Sequence, residues 1–264
     1  MPRSFVVYYG YGPIRGVERF GLAVLEPRGW AASDLAELRA RGVSTLAYLS
    51  GLEAAEDVYR EAGLTPADLL QCGNRPWYKP EWGTWVADPR SPRWRAFVRN
   101  RIAALIKDGW HGVFVDTLGD VEDEAVGAHA AWLLPAAADL VQLMRRAAGD
   151  GRLVQNHGLH LLLPLVAPHL DGICWEAPPL AAFGRTDWAD QTLQRVLTAG
   201  IRHDLMVLLL DRAPADASGS EAAAALAEFA ARQGCIAYTA PEDYHLGIRL
   251  PDGRVEPASP PPPG

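Results

Sequence analysis

Short apolar runs recur along the chain, separated by segments in which apolar residues return every three or four positions. The runs at 5–9, 22–26, 45–50, 112–116, 153–156, 172–176, 205–210 and 235–239 predict eight β-strands. Between them, Ser91 caps and Pro92 starts a helix whose residues Trp94, Phe97, Val98, Ile102, Leu105 and Ile106 share one face, and Gly109 ends it. Ser33 opens a helix through Leu35 and Leu38 that Gly42 stops. Asp187 opens one through Leu193, Val196 and Leu197 to Gly200, and Ser220 opens an Ala-rich one that ends at Gly234. Strands alternating with helices imply repeated βα units on a parallel sheet, and near-continuous apolar strands such as 206–210 fit a sheet buried on both faces. The count of eight favours a single α/β domain closed as a (β/α)8 TIM barrel, with an open doubly wound sheet as the competing architecture.

Two segments depart from that period. After the third strand, residues 51–89 form a long loop rich in Trp, Tyr, Pro and Gly, and loops of that length usually carry function. At the other end the barrel domain is expected to span 1–250, followed by a Pro-rich tail over 251–264. Residues 257–264 of that tail have nothing to bury, so disorder is expected and no final barrel helix.

Composition narrows the partners. A chain of 264 residues, 49% hydrophobic and 22% charged, can bury one substantial core. Its net charge of −7 leaves no basic surplus for nucleic acid or anionic membrane, so a neutral or cationic ligand fits better. Cys72, Cys174 and Cys235 are odd in number and widely spaced, which reads as buried thiols rather than disulfides or a metal knuckle. The first strand follows Met1 too closely for a signal peptide, so the chain as written reads as cytoplasmic; removal of an export signal ahead of it would make the protein secreted. No stretch is long and apolar enough to span a bilayer, because Pro, His or Asp interrupts even the Leu-rich run over 159–170.

In a barrel of this kind the active site forms at the C-terminal ends of the strands, so polar residues closing apolar runs are the informative ones. They are Tyr8 and Tyr9, Glu26, Tyr48 and Ser50, Asp116, Asn156, Glu176, Asp211 just after the seventh strand, and Tyr238. Asp116 and Glu176 are carboxylates terminating core strands four and six, near enough around the rim to face each other. Glycosidic cleavage needs such a pair, one protonated to assist the leaving oxygen and one ionised as nucleophile or base. Either residue alone could equally be an ion-pair member or a helix cap.

The same residues carry a family resemblance that spans most of the chain, from Tyr8-Tyr9-Gly10 to Tyr238. The stretches are Leu22-Ala23-Val24-Leu25-Glu26-Pro27, Tyr48-Leu49-Ser50 followed by Glu53, Trp85-Val86-Ala87-Asp88 before Ser91-Pro92-Arg93-Trp94, Asp108-Gly109-Trp110-His111-Gly112-Val113-Phe114-Val115-Asp116-Thr117, Gln155-Asn156-His157-Gly158, and Asp171-Gly172 leading to Glu176. The sequence resembles the glycoside hydrolase family 114 barrels, the endo-α-1,4-polygalactosaminidases, and their relatives among biofilm exopolysaccharide hydrolases. The resemblance implies Asp116 and Glu176 as the catalytic pair and a polysaccharide of α-1,4-linked galactosamine, a cationic amino sugar, as substrate. One departure is Gly51-Leu52-Glu53 where the family has Gly-Glu after the Ser, which leaves the placement of Glu53 open.

Asp116 is expected as nucleophile and Glu176 as acid/base, because burial beside Trp175 would raise a carboxyl's pKa. Asp120, Glu122, Asp123 and Glu124 form an acidic rim that suits amino groups or starts a helix. Trp77, Tyr78, Trp82 and Trp85 offer flat faces for sugars, with about half expected to pack the loop instead. Tyr8, Tyr9, Glu26, Tyr48, Ser50, Glu53, Asp88, Asn156, Trp175, Asp211 and Tyr238 complete the candidate substrate site. His157 and His160 lack a third ligand nearby, so no metal and no cofactor is expected. Competing functions are a non-catalytic carbohydrate-binding barrel and a glycosidase for another exopolysaccharide. A phosphosugar isomerase or aldolase is disfavoured, because no Gly-rich phosphate cradle follows strands seven or eight and Lys79 and Lys107 are the only lysines.

Overall fold

The computed structural model of the protein describes residues 2–124, 126 and 130–258. Eight parallel strands form one sheet in chain order: β1 (Phe5–Tyr8), β2 (Leu22–Leu25), β3 (Ser44–Ser50), β4 (Gly112–Asp116), β5 (Arg152–Asn156), β6 (Gly172–Glu176), β7 (Met206–Ala213) and β8 (Ile236–Pro241). β8 lies against β1, with the Phe5 and Tyr238 rings edge-on at 5.8 Å, so the sheet curls into the expected (β/α)8 barrel. The core strands are sealed on both faces: all four residues of β1 and of β2 are buried, as are the first four of β4 and of β6. β1 and β2 stop one residue before the expected ends, which leaves Tyr9 and Glu26 just past the sheet. β7 continues to Ala213 and takes Asp211 into its ladder with β8.

The helices are α1 (Ala32–Ala40), α2 (Glu56–Glu61), α3 (Pro92–Lys107), α4 (Ala130–Ala148), α5 (Leu163–Val166), α6 (Asp187–His203) and α7 (Ala217–Gln233). Ser91 caps α3 by accepting from Trp94 N at 3.2 Å, as its sequence position predicts. Three helix ends differ from expectation. α1 starts at Ala32 after Ala31, so Ser33 lies within its first turn instead of opening it, and Asp34 Oδ2 accepts from Ala31 N at 2.8 Å. Asp216, not Ser220, caps α7 by accepting from Gly219 N at 3.2 Å; Ser220 already lies inside the helix, where its hydroxyl donates to the Asp216 carbonyl at 3.2 Å. α6 runs through Gly200 and stops at Asp204 in the left-handed region (φ 54°), so a glycine that the helix tolerates was mistaken for its terminator.

The long excursion after β3 is ordered. Glu53–Ala55, Thr84–Val86 and Tyr78–Lys79 make a three-stranded antiparallel sheet, and Gln71–Cys72 pairs with Arg75–Pro76. Its root is fixed by Gly51, whose N–H donates to the Asp116 carbonyl at 2.8 Å while its own carbonyl accepts from the buried Trp94 indole at 2.9 Å. The C-terminus also differs from expectation, since Val255–Pro257 returns antiparallel to Gly247–Arg249 and buries Ile248 and Leu250. Part of the segment read as a tail therefore packs on the barrel; 259–264 lie outside the described residues. Cys174 is buried and Cys235 half-buried, but Cys72 is exposed in its hairpin, contrary to the expectation of three buried thiols.

Replacing Trp94 by Phe removes the indole donor to the Gly51 carbonyl and leaves that group buried. The variant should lose about 2 kcal/mol of stability, read as a lower urea midpoint with an unchanged m-value.

Candidate active site

A cleft of about 950 Å³ opens at the C-terminal ends of the strands, and all eight strands or the loops that follow them line it. The chain leaves three central strands abruptly. Thr117, His157 and Ala177, directly after β4, β5 and β6, adopt left-handed conformations with φ of 64°, 56° and 49°. These turns hold Asp116, Asn156 and Glu176 at the lip of the barrel.

Asp116 and Glu176 come together around a single amide. Asn156 Nδ2 donates to Asp116 Oδ1 and to Glu176 Oε2, each at 3.0 Å; of the two ends of the amide only the nitrogen can donate to carboxylates, which fixes the orientation of the group. Two tyrosines flank the bridge. The Tyr48 hydroxyl donates to Asp116 Oδ2 at 3.1 Å, and the Tyr244 hydroxyl donates to Glu176 Oε1 at 2.7 Å. Thr117 N adds a third donor to Asp116, at 2.8 Å to Oδ1. Tyr9 stands between the two phenols, its ring 4.5 Å from that of Tyr48 and 5.3 Å from that of Tyr244.

Burial pushes the Asp116 carboxyl up and the nearby Glu176 charge adds to it, against the pull of the Thr117, Asn156 and Tyr48 donors. Burial and the facing carboxylates push the Tyr48 and Tyr244 phenols far up, so both remain O–H donors. Burial thus raises the Asp116 carboxyl. Trp175 lines the cleft but packs edge-on against Phe183 at 5.6 Å.

A second acidic pair lies beside the first. Lys79, carried by the excursion, binds Glu53 Oε1 at 2.9 Å and Asp120 Oδ1 at 2.6 Å, and Thr84 donates to Glu53 Oε2 at 2.6 Å. Burial lifts the Asp120 carboxyl to about 7, with Lys79 opposing and Glu53 reinforcing the shift. Lys79 itself is pulled down by burial but raised on balance by its two carboxylates, so it stays charged.

Of the sequence candidates, Tyr9, Glu26, Tyr48, Glu53, Asp116, Trp175 and Glu176 line the cleft. Asn156 sits just behind it, 1% exposed, bridging the pair. Ser50 positions rather than faces the cleft: its hydroxyl accepts from Glu53 N at 2.9 Å and meets Thr117 Oγ1 at 2.9 Å, which settles the placement of Glu53. Four candidates fall elsewhere. Tyr8 is enclosed in the core, and Tyr238 turns its hydroxyl to accept from Arg249 N at 3.1 Å under the C-terminal hairpin. Asp88 pairs with Arg90 at 2.7 Å in the approach to α3, and Asp211 accepts from Arg212 N at 2.8 Å outside the cleft lining.

In the acidic rim, Glu122 accepts from the backbone N–H groups of His160, Leu161 and Leu162, while Asp123 and Glu124 are exposed. Of the loop aromatics Trp82 reaches the cleft; Trp85 packs against Tyr78 at 4.5 Å, and Trp77 lies 5.1 Å beneath Lys79. Among the described residues no group of three or more His, Cys, Asp or Glu is arranged to hold a metal ion. Sequence reasoning missed Tyr244, Lys79, Arg28 and Arg212. Tyr244 follows the Pro241-Glu242-Asp243 stretch in a loop without period, and the only available signal was its proximity to the end of β8.

Asp116 and Asp120 both have folded pKa values above those of exposed carboxyls, so the folded state holds protons that the unfolded chain has lost. Their contribution is fully present below about pH 4 and is lost as pH rises, for Asp120 through about 7. Urea midpoints across pH 4 to 8 should show this decline, and Asp120→Asn should flatten it.

The sequence and fold place these features among known proteins. Residues 4–200 match the model of the glycoside-hydrolase family GH114. No curated protein matches the chain. Among solved structures, the chain is similar to the glycoside hydrolase domain of PelA from Pseudomonas aeruginosa, at 24% identity and a TM-score of 0.74, over 91% of this chain and 95% of that one. It is also similar to Ega3 from Aspergillus fumigatus, solved in complex with galactosamine, at 12% identity and a TM-score of 0.73, over 97% and 95% of the two chains. A further likeness is to the α-galactosidase TtGalA from Thermus thermophilus, at 15% identity and a TM-score of 0.56, over 92% of this chain and 60% of that one. These identities establish a shared barrel, and the match over residues 4–200 establishes that the chain belongs to glycoside hydrolase family GH114.

Proposed function

We propose that the protein hydrolyses α-1,4-linked galactosamine-containing polysaccharide with retention of configuration, using Asp116 as nucleophile and Glu176 as acid/base. The observation that carries the reading is the Asn156 bridge. The bridged oxygens of Asp116 and Glu176 each lie 3.0 Å from one nitrogen, so these two oxygens are at most about 6 Å apart, a closeness that favours the retaining spacing of about 5–5.5 Å over the about 6.5–9.5 Å between carboxyl groups that admits an intervening water.

In the first step a carboxylate oxygen of Asp116 forms a bond to the anomeric carbon as the glycosidic C–O bond breaks, and Glu176 gives its proton to the leaving oxygen. In the second, water attacks that carbon, Glu176 takes the water's proton, and the ester to Asp116 breaks. Three donors to Asp116 oppose, without cancelling, the burial that raises its carboxyl, and they hold its oxygens in place for attack, which suits the nucleophile; Glu176 accepts two. The amino sugar is supported by charge, since seven carboxylates against three fixed cations line the cleft. The galactosamine held by Ega3, on the same fold, points the same way.

Release of reducing ends from α-1,4-galactosamine polymers of graded acetylation tests the reading. Asp116→Asn and Glu176→Gln should each lose more than about a hundredfold in activity while folding normally, and the first anomer seen by NMR should be α. A β product would exclude retention, and a wild type inactive on every polymer would exclude the substrate. A fluorinated galactosaminide that traps the intermediate should label the peptide containing Asp116; a label on Glu176 would reverse the two roles. Tyr244→Phe removes one charge-assisted hydrogen bond, of about 1.5–3 kcal/mol, and should lower kcat by about tenfold or more with a smaller change in KM.

A further inference from the structure

Among the described residues four aromatic side chains stand largely exposed, Tyr11, Tyr78, Trp82 and Trp188, and all but Tyr78 line the cleft. Trp188, in the first turn of α6, is open yet braced by two other rings, whereas Tyr11 is held by the Arg28 guanidinium. It is 54% exposed, yet its indole N–H donates to His160 Nε2 at 2.9 Å. The His160 ring lies beside it at 5.7 Å and 32°, and Trp175, the neighbour of Glu176 in β6, meets it edge-on at 6.4 Å and 86°. His160 is itself flanked by Arg195 Nη1, 3.1 Å from Nδ1. A side chain whose only polar atom is spoken for, whose ring is braced by two others and whose remaining face opens on the cleft is preset for a flat, partly apolar ligand.

We propose that Trp188 is a stacking platform for a sugar unit beyond the one held at the carboxylate pair, an assignment that rests on the reading of the cleft as a polysaccharide site. The C–H face of a pyranose removes apolar surface from water on an indole face, and the ammonium of an amino sugar adds attraction to the ring's electrons. His160 acts through Trp188 as its positioning residue. The ring therefore favours a chain of amino sugars over a single unit, and an amine over its acetylated form.

Binding is measured by calorimetry on Glu176→Gln protein, which separates recognition from turnover. The probes are an α-1,4-linked galactosamine tetrasaccharide and its fully N-acetylated counterpart. Adding Trp188→Ala should weaken the amine tetrasaccharide about tenfold or more and the acetylated one less, whereas Trp188→Phe should stay within about threefold. Circular dichroism and Tm of each variant report that folding is intact. Unchanged affinity in Trp188→Ala would overturn the proposal, as would equal losses in the Ala and Phe variants, which would assign the effect to the indole N–H, or an absence of binding by the Glu176→Gln parent. If binding behaves as expected while the wild type releases no reducing ends, the platform stands and the hydrolytic reading falls.

Discussion

Two carboxylates that share one cleft wall repel each other, and the architecture of the rim follows from meeting that repulsion without a positive charge. At about 5 Å and an effective dielectric of about 20 the cost is roughly 3 kcal/mol. Asn156 answers it from both sides at once, with Tyr48, Tyr244 and Thr117 N completing the set. Each donor has a different origin: β3, the turn after β4, β5 and the loop after β8. The strand order fixes this arrangement, since β5 must lie between β4 and β6 for one amide to reach both ends. A register slip of one residue in β5 would turn Asn156 to the helix side and leave the pair with no common donor.

The neighbouring Glu53 and Asp120 face the same problem and meet it differently, with the Lys79 ammonium. A cation is the stronger remedy, but beside the first pair it would hold Asp116 in an ion pair. Neutral donors stabilise the carboxylates without occupying them as a counter-ion does. The excursion after β3 therefore brings its lysine to the second pair, and Gly51, Ser50 and Thr117 set where that excursion begins.

What was legible in the sequence was whatever the strand period controls. An apolar run closed by a carboxylate placed Asp116 and Glu176 at the lip, and the same rule found Asn156, Tyr48 and Tyr9. The rule failed where phase or reach decides. Tyr8 and Tyr9 are adjacent, and alternation sends one to the core and the other to the cleft without the sequence saying which. Tyr238 has the same ambiguity, and the hairpin whose Arg249 N claims its hydroxyl is completed by a return strand in the segment read as a tail. Lys79 and Tyr244 come from loops, where no periodicity constrains direction; their roles exist only once the barrel brings distant segments together.

The turns that follow the three central strands connect these points. A left-handed conformation costs a residue with a side chain about 1–2 kcal/mol, and Thr117, His157 and Ala177 all adopt it. The strand ladder nevertheless continues through two of them, since His157 N donates to Cys174 O at 3.0 Å and Ala177 N to Leu210 O at 2.7 Å. Thr117 N instead donates to the Asp116 carboxylate, and its hydroxyl accepts from Leu52 N at 2.9 Å. The backbone is thus fully bonded up to the residue at which it bends, so the side chains just before the bend are as rigidly placed as any in the sheet. A glycine in place of each would remove the strain, but it would also loosen the one turn whose direction aims the carboxylate. Strain held by hydrogen bonds that run up to each bend is what allows a strand end, rather than a loop, to carry the reacting groups.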